Sequence, residues 1–276
     1  MAITAAAVNE LRKMTGAGMM DCKKALQETN GDFEAAIDFL RKKGQKISAK
    51  RADRDATEGA VIAKSNADST YGVIVRLSCE TDFVAKNEDF VNLADQIADI
   101  ALANQPANLD ALKALMIDGL TISDRLTEEV GKIGEKIDIT SFETVTGEAV
   151  VNYIHAGNRI GVLVALNQAA NDQVVAAGKD VAMQIAAMNP VSVDENDVPE
   201  DVKARELEVG REQAREEGKP EEMLDKIAQG KLQKFFKDNT LLNQQFVKDS
   251  KQSVREYLHS FNKELTVTAF KHITLG

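Results

Sequence analysis

The sequence predicts an α+β protein: a small N-terminal three-helix bundle, then a duplicated sheet-plus-helix core whose second half carries an inserted helical hairpin. Three observations carry this expectation. Apolar residues recur at helical spacing between capping residues over positions 1–44, Val- and Ile-rich runs alternate with helical patterns beyond them, and the chain matches itself weakly when slid by 88 to 90 positions.

The first helix starts at a Thr4 cap and places Val8, Leu11 and Met14 on one face before a stop at Gly16. The second spans about Met19 to Thr29, with Cys22 and Leu26 one turn apart. Asp32 caps the third, which sets Phe33, Ile37 and Leu40 on one face and is expected to end at Gly44. The expected bundle core is Leu11, Met14, Met20, Leu26, Ile37 and Leu40, marginal alone but foldable.

Lys42 to Gly59 is polar, basic and without apolar period, which reads as a linker or an extended helical tether. Residues 1–54 hold 11 basic and 7 acidic side chains, a net of +4 against −10 for the whole chain, so the bundle is suited to an acidic surface. The expected domains are residues 1–54, a first core module at 55–140 and a second at 141–276.

In the core, "GAVIAKS" at 59–65 matches "GEAVVNY" at 147–153, "GVIVRL" at 72–77 matches "GVLVAL" at 161–166, and "LADQIADIA" at 93 matches "VAMQIAAMN" at 181. Each module therefore reads as a hairpin followed by a helix, with further strands expected at 136–145 and 264–275. A slide of 90 sets Asp82-Phe83-Val84 opposite Asp172-Gln173-Val174, where Gln takes the place of Phe. An exposed role for Phe83 and a place over its own core both remain open at this point. The insertion, about 190–229, reads as two helices turned at Gly218-Lys219-Pro220. Between Asp194 and Asp225 it has 13 acidic and 5 basic residues, with a thin stripe of Val202, Leu207, Val209, Met223 and Ile227. A hairpin leaning on its domain, one pairing with a second copy and a solvated arm are all open readings.

A net charge of −10 and the absence of Trp argue against a general grip on nucleic acid or anionic lipid. Two distant cysteines, Cys22 and Cys79, suggest neither a disulfide framework nor a zinc site. No apolar leader or membrane-length run is present, and a cytoplasmic location is expected.

Enzyme chemistry finds little support. The three histidines, His155, His259 and His272, are scattered, and "TGAGMMD" carries Asp21 where a dinucleotide loop needs its third glycine. The glycines that precede lysine, Gly131, Gly178, Gly218 and Gly230, lack the rest of a phosphate loop. Cys79 reads as a structural thiol at a strand end rather than a nucleophile. No cofactor and no metal site are expected, and the residues best suited to function are contact residues.

Two stretches are more specific. "LRKMTGAGMMDCKKAL" at 11–26 and "CETDFVAKN" at 79–87, supported by "KIGEKI" at 132–137 and "IHAGNRIGVLV" at 154–164, closely resemble the signatures of the elongation factor Ts family, bacterial nucleotide-exchange factors for elongation factor Tu. The resemblance covers most of the chain. It implies a ubiquitin-associated-like bundle that binds the GTPase domain of elongation factor Tu, GDP-bound or nucleotide-free, through residues such as Arg12, Met19 and Met20. It implies that Asp82 and Phe83, flanked by Thr81 and Val84, enter that domain beside its Mg²⁺ and phosphate site, with His155 close to the insertion and Gly134 giving a backbone contact. It also implies a homodimer contact through the hairpin in some members. Some members continue into a C-terminal helical module, whereas this sequence stops at Gly276.

Overall fold

The computed structural model describes residues 3–275. Met1 and Ala2, the first residues of the expected bundle, and Gly276, the last of the expected second module, lie outside the described residues. The elements are, in chain order, α1 Ala5–Thr15, α2 Met19–Glu28, α3 Phe33–Arg51, β1 Glu58–Ser65, β2 Tyr71–Cys79, α4 Asp82–Ala85, α5 Glu88–Asn104, α6 Leu109–Lys113, β3 Met116–Ile117, β4 Leu120–Thr121, α7 Ile122–Ile133, β5 Asp138–Thr146, β6 Ala149–His155, β7 Ile160–Leu166, α8 Asp172–Met188, α9 Glu200–Glu216, α10 Leu224–Asn239, β8 Gln245–Phe246, β9 Asp249–Ser253, α11 Val254–Phe261 and β10 Val267–Thr274. Helices and sheets are both present in quantity, as the α+β expectation requires. The chain groups into two compact units, one of residues up to Ile62 with Val75–Phe142 and Leu275, the other of Ala63–Ile74 with Glu143–Thr274.

In the first unit, the Thr4 side chain accepts from the Ala7 N–H to start α1, and Gly16, in the left-handed region, ends it by donating to the Arg12 carbonyl. Leu11, Cys22, Ala25, Leu26 and Ala36 are buried together, with Phe33, Ile37 and Leu40 packed against them. Met14 and Met20 do not belong to this core: they are 59% and 72% exposed. Three short helices whose contacts are filled by Ala17, Cys22 and Ala25 approach too closely to seat two long thioethers as well.

Helix α3 does not stop at Gly44 but runs on to Arg51, so the tether reading of this segment holds as far as that residue. Gly44 is there for a close crossing. A Cβ on it would meet the Thr127 carbonyl oxygen at 3.0 Å, and one on Gly131 of α7 would meet the Gly44 Cα at 3.0 Å. Two helix backbones pass where side chains would hold them apart. Helix α5 buries Phe90, Leu93, Ile97 and Ala101 at three- and four-residue intervals.

In the second unit, β7 lies between β6 and β10, antiparallel to both, with Val164 opposite Val151 on one side and Phe270 on the other. Helix α8 covers this sheet through Val174, Ala177, Val181 and Ile185. Helices α9 and α10 form the expected hairpin, though α10 continues to Asn239. Val198, Leu232 and Phe236 make its small core, against which Val202 and Leu207 pack. Val209 and Met223 remain exposed.

The strand orders are β1-β2-β5 and β6-β7-β10: in each sheet the third strand, reached through a helix, lies beside the second strand of the hairpin. The connections differ in length. Eight residues separate β2 from α5, and five separate β7 from α8. The slide of 90 therefore misaligns this region. Val174, buried in the first turn of α8, corresponds to the buried Phe90 of α5, and α4 with Phe83 has no counterpart in the shorter connection.

Candidate partner-binding site

The signature at 79–87 forms a corner between the end of β2 and the start of α5. Cys79 is fully buried and its thiol donates to the Thr81 carbonyl oxygen at 3.2 Å. Burial, then the nearby Glu135 carboxylate, pushes its pKa up to about 12, so the group is an inert thiol at neutral pH.

The next two residues are gripped from outside the corner. The Glu80 carboxylate accepts from Arg51 Nη1 at 2.7 and 2.9 Å and from the Lys136 backbone N–H at 2.6 Å. Burial raises its pKa, but the Lys136 and Arg51 hydrogen bonds outweigh burial and hold the carboxyl below its ordinary value. Thr81 donates twice to Glu135, from its N–H to Oε2 at 3.0 Å and from its hydroxyl to Oε1 at 2.7 Å. The Lys136 ammonium is itself held by the carbonyls of Ala52 and Arg54, at 2.7 and 2.9 Å.

From that base α4 makes a single turn, closed by Ala85 N–H to Thr81 O at 3.2 Å and Lys86 N–H to Asp82 O at 3.1 Å. Asp82 pairs with Lys86 Nζ at 2.7 Å, and this hydrogen bond and charge lower the Asp82 pKa. Asn87 then caps α5 by accepting from the Asp89 N–H. Phe83 stands on the turn 84% exposed, with Val84 partly exposed beside it. Its core reading is therefore excluded: the residue is not among the buried ones.

The "KIGEKI" stretch supplies the grip. Gly134 closes α7 at φ 82°, donating to the Val130 carbonyl, and a Cβ there would meet nothing within 4 Å. Its value is the left-handed turn that aims Glu135 and Lys136 at the corner. The structure thus brings Thr81, Asp82, Phe83, Val84 and Gly134 into one local arrangement. Sequence reading missed Arg51, Glu80, Glu135 and Lys136. The bonds from Glu80 and Thr81 to Arg51, Glu135 and Lys136 span 29 to 56 residues and leave no local period, although "EK" directly follows the helix-ending Gly134.

Arg12, Met19 and Met20 are exposed on α1 and α2 of the same unit. Met19, 53% exposed, and Met20 are not packing residues. His155 belongs to the other unit, at the exposed end of β6, where its Nδ1 shares a hydrogen bond of 2.7 Å with the Tyr153 hydroxyl. The hairpin after it turns through Ala156, Gly157 and Asn158, all at positive φ. Among the described residues, no group of His, Cys, Asp or Glu side chains is arranged to hold a metal ion, and no helix is long and apolar enough to cross a membrane.

The family model described as Elongation factor TS matches residues 80–276. The chain is 56% identical over 276 residues to Elongation factor Ts of Amoebophilus asiaticus, covering all of both chains, and 56% identical over 274 residues to that of Christiangramia forsetii, covering 99% of each. It is 49% identical over 277 residues to that of Porphyromonas gingivalis, covering 100% of this chain and 99% of the relative. Identity at this level along the whole length of both partners goes beyond a common fold: the chain belongs to the elongation factor Ts family.

Proposed function

We propose that this chain is a guanine-nucleotide exchange factor that binds elongation factor Tu and promotes GDP release, with the Asp82-Phe83 turn acting at the partner's Mg²⁺ and phosphate site. As a member of its family it is an exchange factor and not a catalytic enzyme. The observation that carries the mechanism is the largely exposed Phe83 ring on a turn anchored from both sides. A fixed, exposed aromatic is an anchor that loses little side-chain freedom on docking.

In this reading Phe83 enters an apolar pocket of the GTPase domain and Asp82, at the start of the turn, displaces groups that hold Mg²⁺ against the diphosphate. Loss of that ion removes the largest neutralising charge on the phosphates. Burying one Phe contributes roughly 1.5–3 kcal/mol, whereas a 10⁴-fold weakening of nucleotide needs about 5.5 kcal/mol. The remainder comes from other docking contacts: Arg12, Met19 and Met20 on a ubiquitin-associated-like bundle, Thr81, Val84 and the Gly134 turn beside Phe83, and His155 in the second module. Because coupling is reciprocal, bound nucleotide weakens the factor's own grip by the same factor, and incoming GTP expels it.

The same reading divides the chain into the bundle at 1–54, a first module at 55–140 and a duplicate of it at 141–276. It places the protein in the cytoplasm, without nucleic-acid or membrane partners, and gives the hairpin at about 190–229 a homodimer contact. The shared strand order of the two sheets, with a 17-residue helix between hairpin and third strand in both, supports the duplication.

The test is stopped-flow release of a fluorescent GDP from elongation factor Tu. Native protein is expected to accelerate release catalytically, and Phe83→Ala, folded alike by circular dichroism, to lose most of that acceleration. Undiminished acceleration by the variant sinks the role of Phe83, and none from the native protein sinks the exchange function.

A further inference from the structure

We infer that Glu135 is a positioning residue for exchange, and that its carboxylate fixes the Asp82-Phe83 turn in the orientation that engages the partner. This rests on the exchange reading above. A one-turn helix has no stability of its own, since it fixes several backbone torsions for one or two hydrogen bonds. Something else must set where α4 points.

Two carboxylates do so from opposite directions. Glu80, a residue of the corner, reaches out to Arg51 and to the Lys136 N–H, while Glu135, from the far side, reaches in to both donors of Thr81. The two grips share the adjacent residues 135 and 136, so the corner and the end of α7 are clasped reciprocally. Thr81 is the residue on which α4 begins, and its carbonyl receives the first hydrogen bond of the turn. With its N–H and hydroxyl both held by one carboxylate, Thr81 cannot rotate about its own axis without breaking two charge-assisted bonds. Phe83, two residues on, inherits that fixed direction although Glu135 never touches it.

Glu135→Ala removes both acceptors. Glu135→Gln keeps the arrangement: its carbonyl oxygen accepts from the Thr81 N–H, and its amide donates to the hydroxyl oxygen, which rotates to accept. The experiment measures the saturating rate of GDP release and the half-saturating factor concentration for these two variants and for Glu135→Ala combined with Phe83→Ala.

The expected result has three parts. Glu135→Ala lowers the saturating rate about tenfold, the scale of one charge-assisted bond. Glu135→Gln recovers most of the loss. Glu135→Ala costs almost nothing further when Phe83 is already Ala, because a residue that acts through Phe83 has nothing left to position. An equal loss in both backgrounds, equal loss in the Ala and Gln variants, or no loss in Glu135→Ala overturns the inference while leaving the exchange function in place. Absence of acceleration by the native protein overturns both.

Discussion

Cys79 and Phe83 lie four residues apart and have opposite fates. The thiol is fully buried at the end of β2, bonded to a backbone carbonyl and facing the Glu135 carboxylate. A thiolate is the reactive form, and a pKa near 12 lies far above the ordinary cysteine value of about 8.5. Alkylation of native protein by iodoacetamide at pH 8 is therefore expected to leave Cys79 unmodified, with labelling appearing only on denaturation. Cys79→Ser should retain nucleotide exchange. Mass spectrometry of the peptide and the GDP-release assay check the two halves. The structural role of Cys79 was legible in the sequence, because a buried thiol at a strand end needs no partner in another segment. The fate of Phe83 was not, because a slide of fixed length cannot register a connection three residues longer in one module. The clasp residues were invisible for a related reason: a hydrogen bond between positions 81 and 135 leaves no trace in either local pattern.

The elements themselves were largely legible. Caps at Thr4 and Asp32, the Gly16 stop and the Val-rich strands all lie within a few residues of where periodicity and turn chemistry put them. Helices α6, α7 and α11 and the short β3-β4 and β8-β9 pairs were not anticipated, and in α3 a glycine that usually punctuates a helix instead permits a crossing. A Cβ on Gly131 would press on the Gly44 Cα at 3.0 Å, and one on Gly44 on the Thr127 carbonyl oxygen at 3.0 Å, both tighter than side chains ordinarily pack. Sequence reading could not distinguish a stop from a crossing, because the difference lies in α7, some 87 residues away. Gly131→Val is expected to destabilise the fold by about 1–3 kcal/mol, since both neighbours of the added atoms are backbone and cannot swing aside. A urea unfolding curve with an unchanged midpoint would show that the two helices separate at little cost. The helix-forming propensity of Val is not lower than that of Gly, so a loss would be due to the crossing.

For the whole molecule, charge is the feature that the fold does not alter. A net of +4 on residues 1–54 against −14 on the rest leaves the bundle basic in an acidic chain, with exposed Arg12, Lys13, Lys23 and Lys24 among its basic groups. Steering by such a distribution raises association rates and is screened by salt, with a Debye length falling to about 3 Å at 1 M. The half-saturating concentration for GDP release is therefore expected to rise with ionic strength while the saturating rate changes little. A saturating rate that falls as steeply as the affinity would place the bundle in the release step rather than in docking.

The uninterrupted run of α3 has a mechanical consequence. Nineteen residues of continuous helix make a rod about 28 Å long, with the bundle core on its first turns and the Arg51 grip on Glu80 at its tip. A tilt of about 5° at one end would move the other by about 2.5 Å, roughly half the pitch of a helix and enough to break the Arg51 hydrogen bonds to Glu80.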